Sequence, residues 1–203
     1  MHDFASMRAL PNLTILAPCD AVQTEYLTDL LCQFTGPVYM RMGRGDVPPV
    51  YEAGEKFEIG KIKTVCEGTD ATIIACGEMV APAKKAAELL QAEGISVRVL
   101  DCFTIQPMDT KTVEKALRET RAVVTVEEHS TRGGLGEAVS HIAAEYTSFS
   151  GTFCARTKSV DTLSNPFFCL NSFTNVVFPD PGIPIIKCIF FIYYLPLFIT
   201  DIP

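Results

Sequence analysis

Basic residues are scarce in this 203-residue sequence: 17 Lys and Arg stand against 24 Asp and Glu, a formal net charge of −7. Non-specific binding to DNA or RNA needs a positive face, so nucleic acid is not an expected partner. None of the eight cysteines belongs to a Cys-x-x-Cys pair, and no Cys/His cluster has zinc spacing. They read as reduced thiols of a cytoplasmic protein rather than as a disulfide framework. Met1 to Asn12 lacks an apolar signal-peptide core, so none is expected. No P-loop, Ser/His/Asp set or paired-carboxylate site is legible. The length allows one ordinary domain, or one domain plus a fragment of another, with a sizeable core.

What is present is unevenly spread. The last 56 residues hold only 6 charged side chains but 11 of the 19 aromatics, and the whole net charge belongs to the part before them. That first part is well patterned. Met1–Leu10 reads as a short helix ended by Pro11 and Asn12, and Leu13–Ala17 as a short strand. Asp20 and Gln23 have capping-box spacing. Val22, Tyr26, Leu27, Leu30, Leu31 and Phe34 follow at helical intervals. Val38–Met42 reads as a strand, which completes a strand–helix–strand crossover unit. Gly43–Phe57, with Pro48, Pro49, Gly45 and Gly54, has no period and reads as a linker.

The pattern then resumes. Ile59–Val65 is an expected edge strand, and Ala71–Cys76, Ser96–Asp101 and Ala122–Glu127 are expected inner strands. Helices are expected over Met79–Glu93, stopped by Gly94, from Asp109 to Thr120, and over Leu135–Tyr146. Strands alternating with helices imply an α/β domain with a mainly parallel sheet. Such a sheet wants a further strand after Tyr146, and the tail supplies no convincing one. Ile183–Thr200 is apolar and long enough for a membrane span. Pro184 near one end costs little, but Pro196 and Lys187 argue against one, so a membrane is not an expected partner.

Candidate site residues fall in two loops. Glu127 to Gly136 (EEHSTRGGLG) leaves a strand and opens a helix. Its Gly133, Gly134 and Gly136 suit either a tight turn with close packing or an anion or interface contact by backbone N–H groups. Val139 stands where a dinucleotide fingerprint needs a third glycine. His129, between Glu128 and Ser130, is a candidate acid–base group or a surface or interface residue. Arg41 and Arg44 follow a parallel strand, at the sheet edge where α/β proteins bind ligands. They suit a phosphate or carboxylate, or else a salt bridge. Cys19, Cys76 and Cys102 lie at strand ends, with burial as the default reading.

Several ordered segments resemble the transketolase family. Asp3–Asn12 (DFASMRALPN), Ala17–Ala21 (APCDA) and Gly36–Arg44 (GPVYMRMGR) are similar to the second half of its pyrimidine-binding domain. Phe57–Lys61 (FEIGK), Asp70–Gly77 (DATIIACG), Val99–Asp109 (VLDCFTIQPMD) and Val124–Gly136 (VTVEEHSTRGGLG) are similar to its C-terminal domain. The resemblance implies an α/β architecture in four parts. Residues 1–45 are the end of a pyrimidine-binding domain, and 46–58 are a linker. Residues 59–146 are a Rossmann-like, mainly parallel C-terminal domain, incomplete at its end. Residues 147–203 are a hydrophobic tail outside the family pattern.

It further implies transfer of a two-carbon ketol unit between sugar phosphates, as in the pentose phosphate pathway. The complete enzyme would use thiamine diphosphate and magnesium, held across a dimer. Arg44, with Pro48 four residues on, matches the family arginine that contacts the sugar phosphate. Glu128, His129 and the glycines match a loop near the subunit interface, with no catalytic role. The family's activating glutamate and its diphosphate and metal motifs precede the part matched here. The chain is therefore expected to hold no cofactor alone and to act only with an N-terminal subunit and a second copy. Other thiamine enzymes share the C-terminal domain, namely deoxyxylulose-phosphate synthase and the 2-oxo acid dehydrogenase β subunit. A non-catalytic dimerisation module or a non-functional truncated product are the remaining alternatives.

Overall fold

The computed structural model describes residues 2–150, 154–156 and 174–178. The chain opens with α1 (Asp3–Arg8), β1 (Thr14–Leu16), α2 (Ala21–Leu31) and β2 (Val38–Met40). Asp20 caps α2, its carboxylate accepting from the Gln23 amide at 2.8 Å. The Gln23 side chain reaches back to the Cys19 amide at 2.8 Å. This is a capping box displaced by one residue. β1 and β2 run parallel, with Ile15 opposite Tyr39.

The second part comprises β3 (Lys63–Cys66), β4 (Ala71–Ala75), a 3-10 turn (Gly77–Met79), α3 (Val80–Ala92) and β5 (Val97–Asp101). It continues through β6 (Thr104–Gln106), α4 (Thr110–Glu119), β7 (Val123–Val126), α5 (Leu135–Ser150), β8 (Cys154–Arg156) and β9 (Thr174–Phe178). The sheet order is β3-β5-β4-β7-β9-β8. β4 pairs parallel with both β5 and β7, while β3 and β9 close its sides antiparallel. Gly94 (φ +81°) ends α3, with the Ile95 amide bonded back to the Leu90 carbonyl at 2.9 Å. A left-handed residue there satisfies carbonyls that the helix leaves open.

Successive side chains of the sheet feed two cores, as strand alternation requires. Ile74, Cys76, Leu100 and Val123 face α1, α4 and α5, and Phe4 and Ile15 join them. Ile73, Ala75, Val97 and Val99 face the other way, with Leu27, Tyr51, Phe57 and Phe103. Both cores therefore mix residues from before and after the linker.

Three features depart from the sequence reading. β6 was not expected, and it pairs antiparallel with β1, so a strand after the linker covers the sheet before it. The stretch 46–58 lacks regular structure, as its composition requires, yet it is pinned. Asp20 accepts from the Val50 and Tyr51 amides at 2.8 and 2.9 Å, and Tyr51 and Phe57 are buried. Two buried aromatics are worth about 1.5–3 kcal/mol each, enough to hold a Pro/Gly-rich stretch in place. Finally, β9 lies antiparallel to β7, with Val123 opposite Val177. A further strand was expected after Tyr146 and none was recognised in the tail; an antiparallel neighbour such as β9 needs no crossover helix to mark it. Ile183–Thr200 lies outside the described residues. Among those described, no helix is long and apolar enough to cross a membrane.

Candidate functional site

The carboxyl ends of β1, β2, β4 and β7 converge on one cleft of about 260 Å³, lined by Pro18, Arg41–Gly45, Gly77, Glu78 and Glu128. Backbone bonds draw the ends together. The Arg41 amide donates to the Leu16 carbonyl at 2.9 Å, and the Gly77 amide to the Ala17 carbonyl at 3.1 Å. Gly77 has φ +57°, which lets the chain turn from β4 directly into the 3-10 turn. Ligands of open α/β sheets bind at this edge.

The two arginines differ sharply. The Arg41 guanidinium lies 3.9 Å from the centre of the Phe4 ring. It donates to the Asp3 carboxylate at 3.3 Å and to the Glu128 carbonyl at 3.1 Å. Burial alone would raise the Asp3 carboxyl. The Arg41 charge and the Tyr39 hydroxyl outweigh it and hold the group below its ordinary range. The salt-bridge reading thus describes Arg41. Arg44 is exposed in the cleft wall, and among the described residues it has no ion-pair partner. A fork of five donors in that position is available to an anion.

The glycine-rich loop is satisfied from within. Buried Glu127 accepts from the Leu135 and Gly136 amides at 2.7 and 2.8 Å. The Gly133 amide donates to Glu137 at 3.0 Å. Of the donors anticipated for an external anion, the Gly133 and Gly136 amides are thus occupied by carboxylates of the chain itself. Burial raises the Glu127 carboxyl, while the two amides pull it back down. A Cβ at Gly134 would meet that carboxylate, and one at Gly133 (φ +77°) would meet Ala5. Close packing therefore accounts for both glycines.

The His129 ring stacks on Phe4, centroids 5.4 Å apart. Its Nδ1 lies 2.9 Å from the Ser130 carbonyl, which assigns the proton there, and its Nε2 accepts from the Ala5 amide at 3.4 Å. Burial lowers its pKa, against the pull of the Ser130 carbonyl and the Asp3 carboxylate. With both nitrogens engaged, His129 is a strut between the loop and α1, and the acid–base reading has no free nitrogen to use. Glu128 is exposed and lines the cleft, and its carbonyl accepts from Arg41.

Sequence reasoning missed two carboxylates. Glu78 lines the cleft directly after the Cys76-Gly77 strand end. Asp101 ends β5 at full burial, where it accepts from Gln23 Nε2 at 2.7 Å and from the Tyr51 hydroxyl at 2.8 Å. Burial pushes its carboxyl up to about 7, against the pull of its donors Gln23, Tyr51 and Cys19. Its Oδ1 has no partner among the described residues. An acid closing an apolar strand was the available signal. Burial, and for Cys19 also the charges of Asp101 and Asp20, pushes the thiols of Cys19, Cys76 and Cys102 up. The nucleophilic thiolate is therefore suppressed and the buried reading stands.

Comparison with known proteins identifies the family. The family described as transketolase, C-terminal domain, matches residues 60–165. One subunit of an apulose-4-phosphate transketolase from Phocaeicola vulgatus is 47% identical over 146 residues, covering 71% of this chain and 47% of the relative. A putative transketolase C-terminal section from Methanocaldococcus jannaschii is 44% identical over 145 residues, 70% and 45% of the two chains. Among solved structures, a split-gene transketolase described as an inactive β4 tetramer superposes with a TM-score of 0.69 at 44% identity. That match covers 71% of this chain and 48% of the other. The chain belongs to the transketolase C-terminal domain family and is a partial C-terminal module, spanning about half the length of these relatives.

Proposed function

We propose that the chain is the C-terminal portion of a transketolase-like, thiamine diphosphate-dependent transferase that moves a two-carbon ketol unit between sugar phosphates in the cytoplasm. It acts with an N-terminal partner subunit and a second copy of itself. The observation that carries the reading is Arg44, exposed without an ion-pair partner among the described residues, at the carboxyl ends of four converging strands. The names of the relatives, one a transketolase subunit and the other a C-terminal section, support a partner that supplies the rest of the site.

Among the described residues no group of three or more His, Cys, Asp or Glu stands together as a metal-ligand set, and the cleft offers one unpaired cation. These residues do not fit a magnesium diphosphate. Thiamine diphosphate and magnesium are assigned to the missing portion, and this chain's part is to orient substrate. Arg44 holds the phosphate by charge-assisted bonds, worth about 1.5–3 kcal/mol. Arg41, Asp3 and Phe4 keep its loop in place.

The test adds the 203-residue chain to an N-terminal transketolase subunit with thiamine diphosphate and magnesium. Ketol transfer between sugar phosphates is expected only in the mixture, and Arg44→Ala should raise KM for the phosphorylated donor more than it lowers kcat. Transfer that Arg44→Ala leaves untouched would remove Arg44 from the site, and pyruvate as the preferred donor would favour a related thiamine enzyme. Exposed Leu10, Phe34 and Met42, all in the segment before the linker, favour a second reading. In that reading the chain is an assembly module, which co-elutes with the partner and turns nothing over.

A further inference from the structure

Resting on the reading of Arg44 as a phosphate anchor, we infer that Glu78 is the specificity-determining residue of the cleft, its carboxylate accepting hydroxyl hydrogens from the carbon chain of a phosphorylated polyol. Glu78 and Arg44 line the same space from different strands, Arg44 after β2 and Glu78 after β4. Glu78 is only partly exposed, and among the described residues it makes no hydrogen bond or ion pair. Its position is set by Gly43. A Cβ built on residue 43 would fall on the Glu78 carboxylate, so the acid rests against bare backbone where a side chain would displace it.

An ionised carboxylate only accepts hydrogen bonds. In the same cleft as Arg44 it repels a bare phosphate and rewards a ligand that brings hydroxyl donors along with its anion. Specificity is such a difference of affinities, built partly from repulsion of the wrong ligand. Glu128, also exposed, is a second carboxylate among the lining residues. A cleft of about 260 Å³ lies just below the usual range of roughly 300–1,000 Å³ for small-molecule sites, which suits a short phosphorylated chain rather than a dinucleotide.

The test titrates the full chain with two probes, inorganic phosphate and ribose 5-phosphate, followed by amide NMR shifts. Glu78→Ala should weaken ribose 5-phosphate by about tenfold or more, as expected for loss of a hydrogen bond to a charged group. The same variant should leave inorganic phosphate unchanged or bind it more tightly. Glu78→Gln should fall between the two. Gly43→Ala should repeat the Glu78→Ala pattern with the carboxylate still in the chain, because its methyl pushes the acid aside. A parallel change for both probes would overturn the inference, leaving Glu78 as a neighbouring charge only. The anchor is judged separately by Arg44→Ala, which should weaken both probes. If it weakens neither while Glu78→Ala still separates them, the phosphate reading of Arg44 fails and the role of Glu78 stands. Wild-type chain that binds neither probe refutes both.

Discussion

Asp101 and Glu78 both lie where the two sheets meet, at the carboxyl ends of β5 and β4, and the fold treats them in opposite ways. Asp101 is fully buried and receives Gln23 from α2 and Tyr51 from the linker. One carboxylate thus ties together segments before, within and after the Pro/Gly-rich stretch. Glu78 is partly exposed, has no partner among the described residues and shares the cleft with Arg44. Buried polar groups must be paired because desolvation is costly. An unpaired charge survives at a rim only because water, or a ligand, completes it. The inner end of the seam is therefore read as structure and its mouth as function.

Four variants sharpen or break that contrast. The largest effect should come from Tyr51→Ala, which removes a buried ring packed 4.9 Å from Phe57 and a donor to Asp101. A loss of about 3–5 kcal/mol is expected in urea unfolding, and less than about 1 kcal/mol would mean the linker clamp is not needed. Glu127→Ala comes next. It strands the Leu135 and Gly136 amides at the start of α5 and should cost about 1–3 kcal/mol.

Asp101→Asn tests the inner site through pH. The folded carboxyl titrates at about 7, above its ordinary 3.8, so between those values the folded state binds the extra proton. Asp101's contribution to stability is then full below its ordinary pKa and is lost as pH rises through about 7. The urea midpoint of the wild type should fall between pH 5 and pH 8 by more than that of Asp101→Asn, which keeps the shape without the charge. Equal slopes would show that Asp101 is ionised throughout. The smallest effect on stability belongs to Arg44→Ala, within about 0.5 kcal/mol of wild type. A larger loss would mean that Arg44 is a structural partner, and the contrast between mouth and seam would collapse.

Much of the frame was legible. Asp20 and Gln23 announced α2, Gly94 ended α3, and the apolar runs at 71–76, 96–101 and 122–127 became the parallel centre of the sheet. Arg44 was singled out because it follows a strand of a crossover unit and matches the family arginine. β6 escaped because Thr104–Gln106 is three residues long and acquires its meaning only against β1, some ninety positions away. His129 was weighed as an acid–base group, because a histidine beside carboxylates looks available, and read first as a surface or interface residue. Its stacking on Phe4 and its bond to Ala5 depend on a helix at the other end of the sequence.

The sequence by itself determined the main helices, the central strands and their alternation around a parallel sheet. Those properties follow from periodicity, caps and turns, which act over a few residues. Only the tertiary structure decided which polar side chains are spent on the chain itself. Arg41 and Arg44 share a loop and a charge, and no local pattern separates them. What separates them is that Phe4, Asp3 and the Glu128 carbonyl come to lie around Arg41, and that Arg44 meets open cleft. Pairing of buried charge is a property of neighbours in space, and α1 and the loop after β7 become neighbours only when the sheet brings them together.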